Sequence, residues 1–579
     1  VHKVDCGAEN LEVKMRKIGK VILVLIGIVL VIAIIAITVG YLSRRIQPNT
    51  VLTVRIEGEI EEQPPQDPLT EALFGARLTV TDIVQALDRA ETDPRITGIE
   101  VRVDESTMSM GKIQEIQQKI REFNRKGKFS VAYLEYATNR TYYLASACQT
   151  VMLLPTSLFH VRGLMTSTTF LRGTLDKLGV YPDLYHIGDY KNAMNVFTEK
   201  KYTSAHREAD QALLEDLYRQ FLRGVAEGRG MKLEEVEKAI AKGPYTSQEA
   251  LAAKLVDRLA YADEARDLVK QKNRGSDNRL NLAEYLRRTE RGGGSKLAVI
   301  YATGTILPGR SGDTPLGGAV MGSETIAEQF LRAREDTAIK AVILRVDSPG
   351  GVAFSSEIIR HEVVVTKRVK PVVVSMSDLA ASGGYAIAMS ANKIVAEPGT
   401  ITGSIGVVGG KYNLLGLYQK LGLSKDYIAT TENSTIDYPF QNFTPAQRES
   451  ILKYMRDIYR EFLQGVAEGR HMTVEAVDKI GQGRVWSGER ARQLGLVDEL
   501  GGLDAAITAA KTLAKIPAGE RVSLVYLPPP KSLFEQLRDL VGATGVFGRG
   551  VTLRQWLHQM ETLARTPAWT LLPAVPEVE

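Results

Sequence analysis

Gly224-Val-Ala-Glu-Gly-Arg229 recurs letter for letter as Gly465-Val-Ala-Glu-Gly-Arg470, 241 positions further along the chain. An identity of this length at a fixed offset marks an internal duplication. The same offset aligns Leu255-Val-Asp257 with Leu496-Val-Asp498, and Ala205-His-Arg-Glu208 with Ala446-Gln-Arg-Glu449. Upstream, Ile99-Glu-Val-Arg-Val-Asp104 matches Ile343-Leu-Arg-Val-Asp347, now with Asp104 and Asp347 243 apart, so only small length changes separate the copies. The repeats are expected at 46–268 and 297–515. Two units also suit the length, because single cores stop growing near roughly 250 to 300 residues and this chain has 579.

Within each repeat short β-branched runs alternate with helical periodicity, the signature of an α/β architecture. In the second repeat the runs are Leu297 to Tyr301, Ala341 to Val346, Val372 to Ser375 and Ile394 to Ala396. The segment Pro445 to Arg470, apolar at Ile451, Tyr454, Ile458, Phe462 and Val466, has the spacing of a closing amphipathic helix.

Outside the repeats, Val21 to Val39 is apolar without a charge, about the length that spans a bilayer, and predicts a transmembrane anchor over 21–42. Lys14, Arg16, Lys17 and Lys20 precede it, which puts 1–20 in the cytoplasm and everything after Tyr41 outside. A cleaved signal peptide fits less well, since its apolar region is shorter and no small-x-small site follows. The polar residues before Met15 carry no functional weight. Residues 269–296, rich in Lys, Arg and Asn and ending in Gly292-Gly-Gly294, read as a linker with one short helix near Leu282 to Arg287. Residues 516–579 read as a tail of unassigned role, with helical patterns near Leu533 to Leu540 and Leu553 to Leu563 and with Trp556 and Trp569 packing on the body of the protein.

Seventy-three basic against 68 acidic residues leave a net charge of +5, far from the clustered excess that binds phosphates, so no nucleic-acid partner is expected. Cys6 and Cys148 flank the anchor and build no disulfide framework; Cys148 reads as a small buried residue. No metal site, cofactor or nucleotide loop is expected, the glycine clusters lacking a Gly-Lys-Ser/Thr ending.

Chemistry concentrates in the second repeat. Asp347-Ser-Pro-Gly-Gly351 follows a buried strand, and such a turn frees backbone N–H groups to form an oxyanion hole. About thirty residues on, Asp378-Leu-Ala-Ala-Ser-Gly-Gly-Tyr385 leads from a strand into a helix and puts Ser382 at the corner, exposed for attack and beside the N–H of Gly383. Gly351 and Gly383 are the expected oxyanion donors, with Gly350 a third candidate. Gly-Gly turns and Ser caps are common at helix starts, so neither motif decides alone. The first repeat is the better witness. It reads Asp104-Glu-Ser-Thr-Met108 at the first motif and, aligned on Tyr143, Asn139-Arg-Thr-Tyr-Tyr143 at the second, so the fold does not need these glycines or the serine.

A serine nucleophile needs a base. His2, His160, His186, His206, His361, His471 and His558 offer no convincing triad. A lysine serves if burial lowers its pKa by about 3, roughly 4 kcal/mol. Lys393 and Lys411, in the same repeat as Ser382, are candidate bases.

The anchor, the tandem repeat, Ser348-Pro-Gly-Gly351, Ala381-Ser-Gly-Gly-Tyr385, Thr402-Gly-Ser-Ile-Gly406 and Gly188-Asp-Tyr-Lys191 together resemble the signal peptide peptidase A (protease IV) family of bacterial inner membranes. The resemblance implies a Clp protease/crotonase-like fold and a Ser/Lys dyad, Ser382 as nucleophile and Lys191 as general base. It implies remnant signal peptides as substrates and a homo-oligomer, a tetramer, on the extracytoplasmic side of the membrane. Position 432, 241 beyond Lys191, is Glu, so the lysine stands only in the repeat that lacks the serine. A crotonase-like acyl-CoA enzyme, which an exporting anchor would separate from its coenzyme, and a noncatalytic membrane scaffold are the alternatives.

Overall fold

The computed structural model describes residues 45–58, 60–63, 78–289, 293–313, 318–529 and 577–578. The expected anchor and cytoplasmic segment, Cys6, His2, His558 and the tail's helical patterns and tryptophans lie outside the described residues. Among the described residues no helix is long and apolar enough to cross a membrane.

Each repeat builds a sheet whose six matched strands are parallel and run in one order. In the first it runs Arg258–Leu259, Thr150–Leu153, Phe129–Leu134, Ile96–Ser106, Thr50–Gly58, Asn278–Asn281. In the second the matching strands are Glu499–Leu500, Lys393–Ala396, Val372–Ala381, Ile339–Ser348, Ser295–Thr303 and Val522–Leu527, with Ile401–Gly403 and Val485–Ser487 extending the far end of Val372–Ala381. Helices connect the parallel neighbours, as such crossovers require. The four expected strands of the second repeat are all present, and their apolar runs are buried on both faces, as a covered parallel sheet demands.

Both repeats close with a 26-residue helix, Ser204–Arg229 and Pro445–Arg470. The second starts where the Thr444 hydroxyl accepts from the Gln447 N–H while Gln447 accepts from the Thr444 N–H, with Pro445 preset for the first turn. It stops at His471, in the left-handed conformation that Gly230 adopts in the first repeat. Cys148 is fully buried, and burial pushes its thiol up to about 12.

Two assignments change. Residues 269–296 are more than a linker: Asn278–Asn281 is an edge strand on Thr50–Gly58, followed by the helix Leu282–Thr289. The start of the 516–579 tail does the same for the second sheet, through Val522–Leu527 on Ser295–Thr303. Polar composition hid the first edge strand, because an edge exposes half its surface. The register between the repeats also shifts by one. The Tyr385 hydroxyl donates to the Leu496 carbonyl at 2.9 Å, and Tyr142, not Tyr143, donates to the equivalent Leu255 carbonyl at 2.8 Å. Ser382 therefore corresponds to Asn139. The paired tyrosines at 142 and 143 leave the linear alignment ambiguous.

Among the contacts that join the repeats, two stand out. Arg345, fully buried in the second sheet, is held by Glu62 at 2.8 Å and Glu115 at 2.6 Å, both from the first repeat. Elsewhere Tyr181–Ile187 of the first repeat pairs antiparallel with Val407–Asn413 of the second, Ile187 facing Val407.

Candidate active site

Ser382 follows the last residue of Val372–Ala381 and precedes the short helix Gly383–Ala386. Its backbone has φ 54° and ψ −117°, a conformation that costs a non-glycine residue about 1–3 kcal/mol and is held by its surroundings. The holding bonds are the Ser382 N–H to the Gly403 carbonyl, 2.9 Å, and the Ala386 N–H to the Ser382 carbonyl, 2.9 Å. This is the sharp strand-to-helix corner expected from the sequence.

The Pro-Gly-Gly turn lies against that corner. The Ser348 hydroxyl donates to the Gly304 carbonyl at 2.7 Å and accepts from the Gly350 N–H at 3.1 Å. Gly350 thus has its donor committed. Its Cβ position would lie 2.6 Å from the Gly383 nitrogen, so only glycine allows the turn to approach the Ser382 corner so closely. The N–H groups of Gly351 and Gly383 have no acceptor among the described residues. They are neighbours, a Cβ added at Gly383 falling 3.1 Å from the Gly351 nitrogen. Two adjacent free donors beside a serine hydroxyl form a site for a developing oxyanion.

Lys191 reaches this point from the first repeat. The antiparallel ribbon carries the chain through Ile187 into Gly188-Asp-Tyr-Lys191, where the Tyr190 N–H donates to the Gln482 carbonyl at 2.8 Å. Gly483 lies against the lysine backbone; a Cβ there would sit 2.4 Å from that of Lys191. The Lys191 side chain is 3% exposed. Its Nζ lies 2.9 Å from Ser382 Oγ, 2.8 Å from the Ser404 carbonyl oxygen and 2.9 Å from Ser404 Oγ. No carboxylate offsets the loss of solvent, and burial takes the amine down to about 7 from the usual 10.5.

The other candidate bases are elsewhere. Lys393 pairs with Glu499 at 2.5 Å. Lys411 donates to the carbonyls of Ile436 at 2.7 Å and Tyr438 at 3.0 Å, with its Nζ 4.4 Å from the centre of the Phe443 ring. His160 contacts the Tyr136 hydroxyl, His186 the Gly188 carbonyl and His206 Asp210, while His361 and His471 are exposed. Ser404 received no role from the sequence, although it sits inside the quoted Thr402–Gly406 motif; its contact with Lys191 spans 213 positions and has no local signature.

A cleft of about 570 Å³ opens over Lys191, Ser382, Gly351 and Gly383. Phe354, Met389, Val407, Ile458 and Phe462 give it apolar walls. A peptide with apolar side chains could bury them there while its carbonyl meets the serine.

Comparison with known proteins agrees with this chemistry. The model of Peptidase family S49 matches residues 122–275 and again 365–517, one match in each repeat. A chloroplastic serine protease SPPA of Arabidopsis thaliana is 33% identical over 90% of this chain and 77% of its own length. A protein named Protease 4 of Salmonella typhi is 34% identical over 80% of this chain and 78% of its own. A solved mutant ClpP1 from Listeria monocytogenes, at 15% identity, covers 36% of this chain and 94% of that one with a TM-score of 0.23, too low to bear on the argument. The family matches decide against the acyl-CoA and scaffold alternatives. With both repeats matched and protease relatives aligned over most of its length, the chain belongs to peptidase family S49 and is a serine-type peptidase.

Proposed function

We propose that Ser382 is the nucleophile and Lys191 the general base of a Ser/Lys dyad. In the neutral lysine, two N–H bonds donate to the Ser404 carbonyl and hydroxyl, and the lone pair faces the Ser382 hydroxyl. The lone pair takes the hydroxyl proton as Oγ bonds to the scissile carbonyl carbon. The carbonyl oxygen becomes an oxyanion and accepts from the Gly351 and Gly383 N–H groups. The Lys191 ammonium then protonates the amine as the C–N bond breaks, leaving an ester on Ser382. Water, deprotonated by the Lys191 amine, attacks that ester, and the Lys191 ammonium returns the proton to Ser382 Oγ as the acyl C–O bond breaks and the acid leaves. The observation that carries this reading is a desolvated amine 2.9 Å from a strained serine hydroxyl, with no carboxylate to hold it charged.

The substrates in this reading are remnant signal peptides, cut in their apolar cores. The apolar walls of the cleft support it, as does the apolar run at 21–39, which would tether the enzyme where such peptides accumulate, at the inner membrane with the catalytic part outside. The working form in this reading is a homo-oligomer, a tetramer by family resemblance.

Purified full-length protein in detergent should digest casein and a synthetic signal peptide, the latter within its apolar core. Ser382→Ala and Lys191→Ala should each abolish both. Full activity in Ser382→Ala would end the dyad proposal; cuts confined to polar segments would end the substrate proposal while leaving the dyad intact.

A further inference from the structure

The dyad accounts for Lys191 and Ser382, but a second buried lysine sits beneath them. Lys112, 5% exposed, belongs to the first repeat's helix Met110–Arg125 and enters the second repeat at the ends of its two central strands. Its Nζ lies 3.1 Å from Asp347 Oδ2 and 3.7 Å from Asp378 Oδ2. Its backbone N–H donates to Asp378 Oδ1 at 2.9 Å. Asp347 Oδ1 in turn accepts from the Leu379 N–H at 3.1 Å. The approach is tight: a Cβ on the preceding Gly111 would lie 2.9 Å from the Ser377 carbonyl oxygen.

The two carboxylates occupy matching places. Asp347 stands four residues before Gly351, and Asp378 four residues before Ser382. The ammonium therefore bridges the strand that ends in the oxyanion turn and the strand that ends in the nucleophile. Burial works against its charge, but Asp347, Asp378 and Glu62 around it more than offset this, and Lys112 stays protonated. Without it, Asp347 and Asp378, both held above the usual carboxylate range by burial, would lose the cation they share at the strand ends that lead to Gly351 and Ser382.

We propose that Lys112 is a positioning residue for the peptidase reaction: an ammonium lent by the first repeat that fixes the oxyanion turn and the nucleophile of the second at working distance. The proposal rests on the dyad reading. It gives the first repeat a second contribution to the site besides the lysine base. Misplacement by less than an ångström is enough to cost an enzyme a large part of its rate, because preorganised donors act only at the geometry of the transition state.

The test is steady-state kinetics on a fluorogenic apolar peptide with full-length protein, each preparation normalised to its folded fraction and run beside Ser382→Ala. Lys112→Met should lower kcat by about 10- to 100-fold while KM stays within about threefold, since the cleft walls are untouched. The double variant Lys112→Met, Asp378→Asn should recover at least about fivefold in kcat, because an asparagine amide can donate directly to Asp347 and retie the strands. A purely structural role would lower stability and leave the kcat of folded molecules alone. A kcat within twofold of the parent, a rise in KM without a fall in kcat, or no recovery in the double variant would each overturn the proposal. Should Lys112→Met fail to fold, Asp378→Asn carries the test: a fall in kcat of about threefold or more at constant KM supports the bridge, and a smaller change overturns it. An inactive Ser382→Ala beside a fully active Lys112→Met would sink the bridge alone, whereas an active Ser382→Ala would sink the dyad.

Discussion

Replacing Lys191 by methionine should make the protein dead and, at neutral pH, relieve it of the cost of burying an amine that the unfolded chain keeps protonated. The folded protein holds this amine at about 7, while an unfolded chain holds it at the usual 10.5. At about 1.4 kcal/mol per pH unit, that gap is worth roughly 4 to 5 kcal/mol. The sign follows from proton counting. Between about 7 and 10.5 the unfolded chain carries a proton on this residue that the folded chain has released, so stability from this group rises with pH. The cost is fully present below about 7 and gone above 10.5. Methionine removes it at every pH, along with the hydrogen bonds to Ser404 and Ser382, whose loss is nearly independent of pH. The stability difference between Lys191→Met and the parent should therefore shift in the parent's favour by roughly 4 kcal/mol from pH 6 to pH 10. Urea unfolding of both proteins at the two pH values reads this directly. A difference constant to within about 1 kcal/mol would mean that the amine keeps its ordinary affinity for protons. The argument for a neutral lysine base would then fail.

The same group predicts the rate profile. Lys191 must be neutral to accept the serine proton, so kcat/KM should climb as pH rises through about 7 and fall away below it; a rate independent of pH between 5 and 9 would contradict this. Ser382→Gly and Ser382→Ala should both be inactive, with the glycine variant more stable by about 1 kcal/mol in urea unfolding, since both lose the hydroxyl and only alanine keeps the φ 54° strain. Gly483→Ala would press a methyl group within 2.4 Å of the Lys191 Cβ and push the lysine away from the serine. Peptidase activity should drop by about 100-fold in that variant with Ser382 untouched, and retention of half the activity would refute the tight fit.

Much of this protein is written in local pattern. The verbatim hexapeptide at 224 and 465 establishes the duplication, and short β-branched runs alternating with period-3.6 segments establish an α/β unit whose closing helix begins at Pro445 and ends at Arg470. The contrast between Ala381-Ser-Gly-Gly-Tyr385 and its counterpart in the first copy singles out Ser382, because a residue needed only for folding would be needed twice. Where pattern is weak, the reading slips. The polar edge strand Asn278–Asn281 passes for linker, and the twin tyrosines hide a one-residue shift.

Only the tertiary structure shows which of the lysines lies against Ser382. Lys191 is 191 positions from Ser382, and by composition Gly188-Asp-Tyr-Lys191 is an ordinary polar turn. It becomes a buried amine of lowered proton affinity because the ribbon of Tyr181–Ile187 and Val407–Asn413 carries one repeat across the other and seals the turn against Gln482 and Gly483. Side-chain period reports which face of a strand is buried. It says nothing about which distant edge that strand will meet, and it is that meeting which removes water from Lys191 and sets its proton affinity.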